Sequence, residues 1–188
     1  MKFCSRRNSE TSPGSSLSVK RVVMIGLEKS GKSTILQRFK LGDNFHAQVP
    51  TRDDNEYHFE NIEYNSTLMH ISDLGGGPQS SKKWKDHVGD ADALVYVVDA
   101  SSFEYVDIAR EKLHDLLFSN YAHDLPLLIF ANKQDRPCPM ETEEIKEELD
   151  VDEILPLCKM LKIQMCSATR GKGVNEGFNW LTKIMRLA

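Results

Sequence analysis

Three short stretches of the chain are almost wholly apolar: VVMIG at 22–26, ALVYVVD at 93–99 and LPLLIFAN at 125–132. Apolar runs of this length, bounded by glycine or polar turns, predict strands covered on both faces. Between them the apolar positions change to helical spacing. Ile35, Leu36 and Phe39 share one face of a helix over 33–40, and Val106, Ala109, Leu113 and Leu117 one face over 103–118. A last amphipathic helix covers 174–187, with Phe178, Leu181, Ile184 and Met185 inward and Trp180 as a packing residue. Segments 57–63 and 67–72 read as two strands joined by a hairpin turn at Asn65-Ser66. A short strand is expected at 163–166, a helix at 84–88 ending at Gly89, an acidic helix with a solvated face at 141–149, and a polar loop over 42–55. Strands alternating with helices predict an α/β fold: a mostly parallel six-stranded sheet with one antiparallel edge strand and helices on both faces. Ligands of such sheets bind at the carboxyl ends of the strands.

Totals narrow the picture. At 188 residues, 40% hydrophobic and 28% charged, the chain suits one folded domain, expected over 19–188. Residues 1–18 are serine-rich with few apolar positions, and are expected to be a flexible basic arm. The net charge of −4 gives no bulk attraction to nucleic acid. It is uneven, because Lys2, Arg6, Arg7, Lys20 and Arg21 face Glu10 alone at the start. Cys4, Cys138, Cys158 and Cys166 lack CxxC spacing, which fits a reduced cytoplasmic protein without structural zinc. No apolar run nears the ~20 residues of a membrane span. No signal peptide, myristoylation glycine or prenylation cysteine is evident. Cys4 beside its basic neighbours could take one acyl chain, giving weak, reversible peripheral membrane contact, although a solvated arm is the simpler account.

GLEKSGKS at 26–33 fits GxxxxGK[ST] and joins a strand to a helix, the setting this motif requires. Gly26 and Gly31 let the loop curl, so that backbone N–H groups of Leu27, Glu28, Lys29, Ser30, Lys32, Ser33 and Thr34 can surround phosphate at a helix N-terminus. Lys32 brings a mobile positive charge to the β- and γ-phosphates, and the Ser33 hydroxyl suits Mg²⁺. NKQD (132–135) follows the strand ending at Ala131, on the same rim. The Asp135 carboxylate can accept two hydrogen bonds, matching guanine N1–H and the exocyclic amine, a pair adenine lacks. The Lys133 stem can lie against the ring. In isolation NKQD reads equally as a polar turn. CSAT (166–169) supplies a second loop on the rim, from which the Ala168 N–H could meet guanine O6.

The order GLEKSGKS, Pro50-Thr51, DLGG (73–76), NKQD and SAT (167–169) resembles the small GTPases. LVYVVDASSFE (94–104), LLIFANKQD (127–135) and CSATRGKGVNEGFNWL (166–181) resemble the ADP-ribosylation factor family, Arf and Arf-like, and the likeness spans about residues 19–185. It implies a monomeric guanine-nucleotide switch of the P-loop small G-protein fold, binding GTP and GDP with Mg²⁺. It also implies exchange factors, activating proteins and effectors, with work in membrane traffic or related regulation. Site residues carried over are Gly26 through Thr34, Thr51, Asp73, Gly76, Asn132, Lys133, Asp135, Ser167, Ala168 and Thr169. Ser33, Thr51 and, through water, Asp73 would hold Mg²⁺; the Gly76 N–H would meet the γ-phosphate.

Departures from the family pattern are equally specific. PTRDDNEYHF (50–59) replaces PTIGFN, which puts the Thr51 role in doubt. Lys2 stands where the acylated glycine would be, and Ser33 replaces threonine with its hydroxyl kept. The family's DxGGQ aspartate is followed eleven residues later by tryptophan; here Trp84 follows Asp73 at that interval. Gly77 therefore occupies the position of the catalytic glutamine, and Gln79 falls in the next loop behind a stiff Pro78. The chain reads either as a slow GTPase switch or as a hydrolysis-deficient GTP-binding interaction module. A third class, a P-loop nucleotide kinase, conflicts with NKQD and SAT and has no arginine-rich lid.

Overall fold

A computed structural model describes residues 18–46, 57–119 and 121–187. Of the arm expected at 1–18, residues 1–17, with Cys4, lie outside the described residues, as does most of the polar loop, with Thr51; Ser18 opens the first strand instead. Six strands form one sheet in the order β2-β3-β1-β4-β5-β6. They are β1 (Ser18–Ile25), β2 (His58–Tyr64), β3 (Thr67–Asp73), β4 (Ala93–Asp99), β5 (Pro126–Asn132) and β6 (Met160–Met165). Only β2 pairs antiparallel, through a hairpin whose turn residues Asn65 and Ser66 have φ of 48° and 57°. Two left-handed residues give the turn a twist that matches its strands. The remaining pairings are parallel.

Helices α1 (Lys32–Leu41), α2 (Trp84–Val88), α3 (Phe103–Leu117), α4 (Thr142–Glu148), α5 (Val151–Ile154) and α6 (Val174–Leu187) surround the sheet. Two apolar cores follow, one on each face. Trp84, Tyr96, Leu113 and Ile145 belong to the first; Ile35, Phe39, Phe130 and Phe178 belong to the second. In the second, Phe178 of α6 stacks on Phe39 of α1 at 3.9 Å between ring centres and tilts against Phe130 at 5.5 Å. These contacts bind α1, and with it the first turn that carries Lys32 and Ser33, to the sheet.

The elements differ from expectation at three places. β1 starts upstream of the apolar run, because Ser18 through Met24 all pair with β3. β6 starts at Met160 rather than Ile163; its lead-in residues pair with Pro126 and Leu127 at the sheet edge. α5 and the 3-10 turn Leu155–Leu157 have no counterpart in the sequence reading, although Val151 and Ile154 are buried. The acidic helix α4 carries a capping box, in which the Glu144 carboxylate accepts from the Glu141 N–H at 2.7 Å.

Candidate functional site

The glycine-rich loop leaves the carboxyl end of β1 and turns into α1 at Lys32. Gly31 caps that helix with φ 98°, and a Cβ there would lie 2.2 Å from Asn132 Nδ2. The position requires glycine on both counts. Lys32 is buried at 7% exposure, and its ammonium donates to the carbonyls of Gly26 and Leu27, each at 3.0 Å. The charge is therefore folded over the loop that would encircle a phosphate. The Ser33 hydroxyl donates to Asp73 Oδ2 at 2.6 Å, joining the loop to the buried end of β3.

After Asp73 the chain stays against the loop. The Leu74 N–H donates to Met24 O at 3.0 Å, and the Gly76 carbonyl accepts from the Glu28 N–H at 3.2 Å. A Cβ on Gly76 would come to 2.3 Å from Glu28 N and 2.4 Å from Gly26 O, so only glycine fits this approach. Trp84 Nε1 donates to Gly75 O at 3.0 Å, anchoring the segment from behind. At Gly77 the chain enters a turn closed by the Ser81 N–H on Gly77 O at 3.0 Å. Gln79 rides exposed on the outside of this turn, and a Cβ added at Gly77 would meet nothing within 4 Å.

Asn132, Lys133 and Asp135 leave the end of β5, and Ser167, Ala168 and Thr169 follow β6. All of these but Ser167 line, with Gly31 and Thr34, a recess of about 120 Å³. Asn132 is 2% exposed and spans three loops: Nδ2 donates to Ser30 O at 2.8 Å, while Oδ1 accepts from the Ala168 N–H at 3.1 Å. The Ala168 N–H is thus committed to Asn132 in this structure rather than directed at a base. The Ser167 hydroxyl donates to Asp135 Oδ1 at 2.6 Å and thereby holds that carboxyl below its ordinary pKa. The ionised form, the one that accepts two hydrogen bonds, is favoured.

Two further residues were not anticipated. Arg38, on α1, donates from Nε to Ala168 O at 3.0 Å and from Nη2 to Thr169 O, bracing the loop after β6 from the phosphate-loop helix. Asp99, the last residue of β4, pairs with the Lys133 ammonium at 2.6 Å. Both contacts join residues distant in sequence. The one local hint was VDASS (98–102), an aspartate followed by serines where a turn must form.

A glycine-rich loop after β1, a carboxylate at the end of β3 and the loops after β5 and β6 share one rim of this sheet, the arrangement of the P-loop nucleotide-binding fold. The comparisons with known proteins narrow that class. The model of the ADP-ribosylation factor family matches residues 13–185. ADP-ribosylation factor J of Dictyostelium discoideum is 37% identical over 165 residues, covering 88% of this chain and 85% of its own. ADP-ribosylation factor-like protein 1 of Saccharomyces cerevisiae is 31% identical over 166 residues, 88% of this chain and 87% of its own. The Arl6 (BBS3) small GTPase of Trypanosoma brucei, solved with the nucleotide analogue GppNp, superposes with a TM-score of 0.78 at 27% identity. It covers 90% of this chain and 98% of that one. The chain belongs to the ADP-ribosylation factor family of small GTPases, and is a GTP-binding switch protein of that family.

Proposed function

We propose that this protein is an Arf-like switch that holds GTP and GDP together with Mg²⁺ and hydrolyses GTP slowly on its own. The observation carrying this reading is the convergence of Lys32, Ser33, Asp73 and Asp135 on one rim, with empty space where a Gly77 side chain would point. In this reading Lys32 leaves the loop carbonyls for the β- and γ-phosphates, the Glu28 and Ser30 N–H groups leave Gly76 O and Leu27 O, and the backbone N–H groups of 26–34 receive the rest of the phosphate charge. Asp135 reads guanine, and the Lys133 stem covers the ring.

A hydroxyl at Ser33 and a buried carboxylate at Asp73 are hard oxygen donors, which suit Mg²⁺. Among the described residues no cluster of three or more His, Cys, Asp or Glu could hold a metal by itself. Ser33 would therefore bind the ion directly and Asp73 through water, with phosphate oxygens completing the set and Thr51 a candidate ligand. Bound there, Mg²⁺ would supply neutralisation of phosphate charge.

In this reading no side chain among the described residues guides the attacking water. Gly77 stands at the glutamine position, and Gln79 faces solvent across a turn. Losing one preorganised polar group costs roughly 10²–10³ in rate. The same observation favours a second reading, a GTP-bound interaction module with almost no turnover. Single-turnover phosphate release from preloaded protein separates the two. A slow rate, raised by an activating protein, supports the switch; release no faster than buffer supports the module. The nucleotide retained through purification tests both, because retained ATP would sink the guanine reading. The remaining roles we assign are a cytoplasmic monomer, reversible peripheral membrane contact through residues 1–18, and work in membrane traffic or related regulation with an exchange factor and effectors.

A further inference from the structure

We propose that Asp99 is a positioning residue for guanine nucleotide, acting through Lys133; the inference rests on the guanine-nucleotide reading above. Asp99 ends β4 and lies beside Asn132 in the register of β4 and β5. Its two oxygens have separate tasks. Oδ1 accepts from the Ser101 N–H at 3.0 Å and the Ser101 hydroxyl at 2.6 Å, which fixes the carboxylate in a tight turn. Oδ2 is left facing Lys133 and takes its ammonium at 2.6 Å. Burial pushes the Asp99 carboxyl up, but the hydrogen bonds from Lys133 and Ser101 outweigh it and hold the pKa below the ordinary value. The pair is three-quarters enclosed, each side chain 23% exposed, so the bond is less screened than a surface ion pair.

The consequence falls on the lysine stem. Lys133 has φ 68°, a left-handed backbone that turns its side chain back toward the end of β4. Lys133 is held at its head by Asp99 and lines the recess that Asp135 and Thr34 also line. A free lysine loses much rotamer freedom on being ordered. Here that ordering precedes binding, so a purine ring meets a ready apolar ledge. The ledge is indifferent to the identity of the base, which Asp135 reads separately. Asp99 should thus set how long a nucleotide stays, not which nucleotide is chosen.

The test uses the full chain loaded with a fluorescent GDP and follows its release after addition of excess GDP. Asp99→Asn, close in shape to the native residue, is expected to release GDP roughly tenfold faster, with the preference for GDP over xanthosine diphosphate unchanged. Lys133→Met keeps a stem and drops the charge; in that background Asp99→Asn is expected to add less than about twofold. Asp99→Glu keeps the charge, should recover most of the retention, and serves as the second variant if Asp99→Asn fails to fold. Release from Asp99→Asn at the wild-type rate overturns the inference. So does an acceleration equally large with and without Lys133, or a changed base preference, since either would mean that Asp99 acts through the general shape of the loops. A wild-type chain that binds no guanine nucleotide would instead overturn the switch reading, and the inference with it.

Discussion

Gly77→Gln is the substitution that most directly tests the proposal that this chain hydrolyses GTP slowly for want of a water guide. The structure gives it room: a Cβ at Gly77 meets no atom within 4 Å. Gly77 is not among the residues of positive φ, so a side chain brings no backbone strain there. Its carbonyl bond to the Ser81 N–H and the Trp84 bond to Gly75 do not depend on the side chain. The Gly77 backbone is buried but the direction of its Cβ is open, so stability should change by no more than about 1 kcal/mol. A full preorganised group contributes about 2.7–4 kcal/mol to the transition state. Ordering a glutamine side chain from open space returns about 1.5–2 kcal/mol of that. The net is about 0.7–2.5 kcal/mol, which is between about 3- and 70-fold in rate. The assay is phosphate release in a single turnover with saturating Mg²⁺, run beside Gln79→Ala. A Gly77→Gln protein with unchanged melting temperature and wild-type rate would refute the reasoning. So would a Gln79→Ala protein that loses most of its activity, because Gln79 would then be the guide.

Gly76→Ala must push the segment after Asp73 off the phosphate loop, since its Cβ would lie 2.3 Å from Glu28 N. A loss of about 1–3 kcal/mol is expected in chemical denaturation. Asn132→Ala strands the Ser30 carbonyl and the Ala168 N–H inside the protein; a destabilisation of about 2–4 kcal/mol should accompany faster GDP release. Ser167→Ala removes the bond that depresses Asp135, and GDP should bind about tenfold more weakly. The pH dependence follows in sign. The Asp135 carboxyl is lowered in the folded chain, so its contribution is present above the ordinary carboxylate range and is lost as pH falls through the lowered value. In Ser167→Ala that loss should move to higher pH, which GDP affinity measured between neutral and acid pH would reveal.

The buried strands β4 and β5 were legible because strands covered on both faces are apolar at nearly every position, and ALVYVVD has no other economical reading. The last helix was equally legible from its inward residues, all four of them buried. β6 was legible only at its carboxyl end, 163–165, because Lys162 and Gln164 interrupt an edge strand that is only half covered. α5 escaped because four residues before Pro156 are too short to show a period. At the site, loops that act through their own backbone carry a spacing signature, so 26–33 could be read directly. Asp99 and Arg38 act by reaching residues 34 and 130 positions away. No local pattern encodes such a reach, and only the sheet order β1-β4-β5-β6 brings the ends of those strands side by side.

Asn132 has a further consequence, for the time at which this protein becomes able to bind anything. Its two bonds close chain separations of 102 residues to Ser30 and 36 residues to Ala168. Contacts of that span form late, because the intervening chain must first be gathered at an entropic cost. The hairpin and α1 can assemble early from local contacts, yet the recess for the base cannot exist until β6 has docked and Ala168 has reached Asn132. Capture of a ligand in that recess would therefore report that β6 has docked: a chain stalled earlier would have the glycine-rich loop without the loop after β6 joined to it.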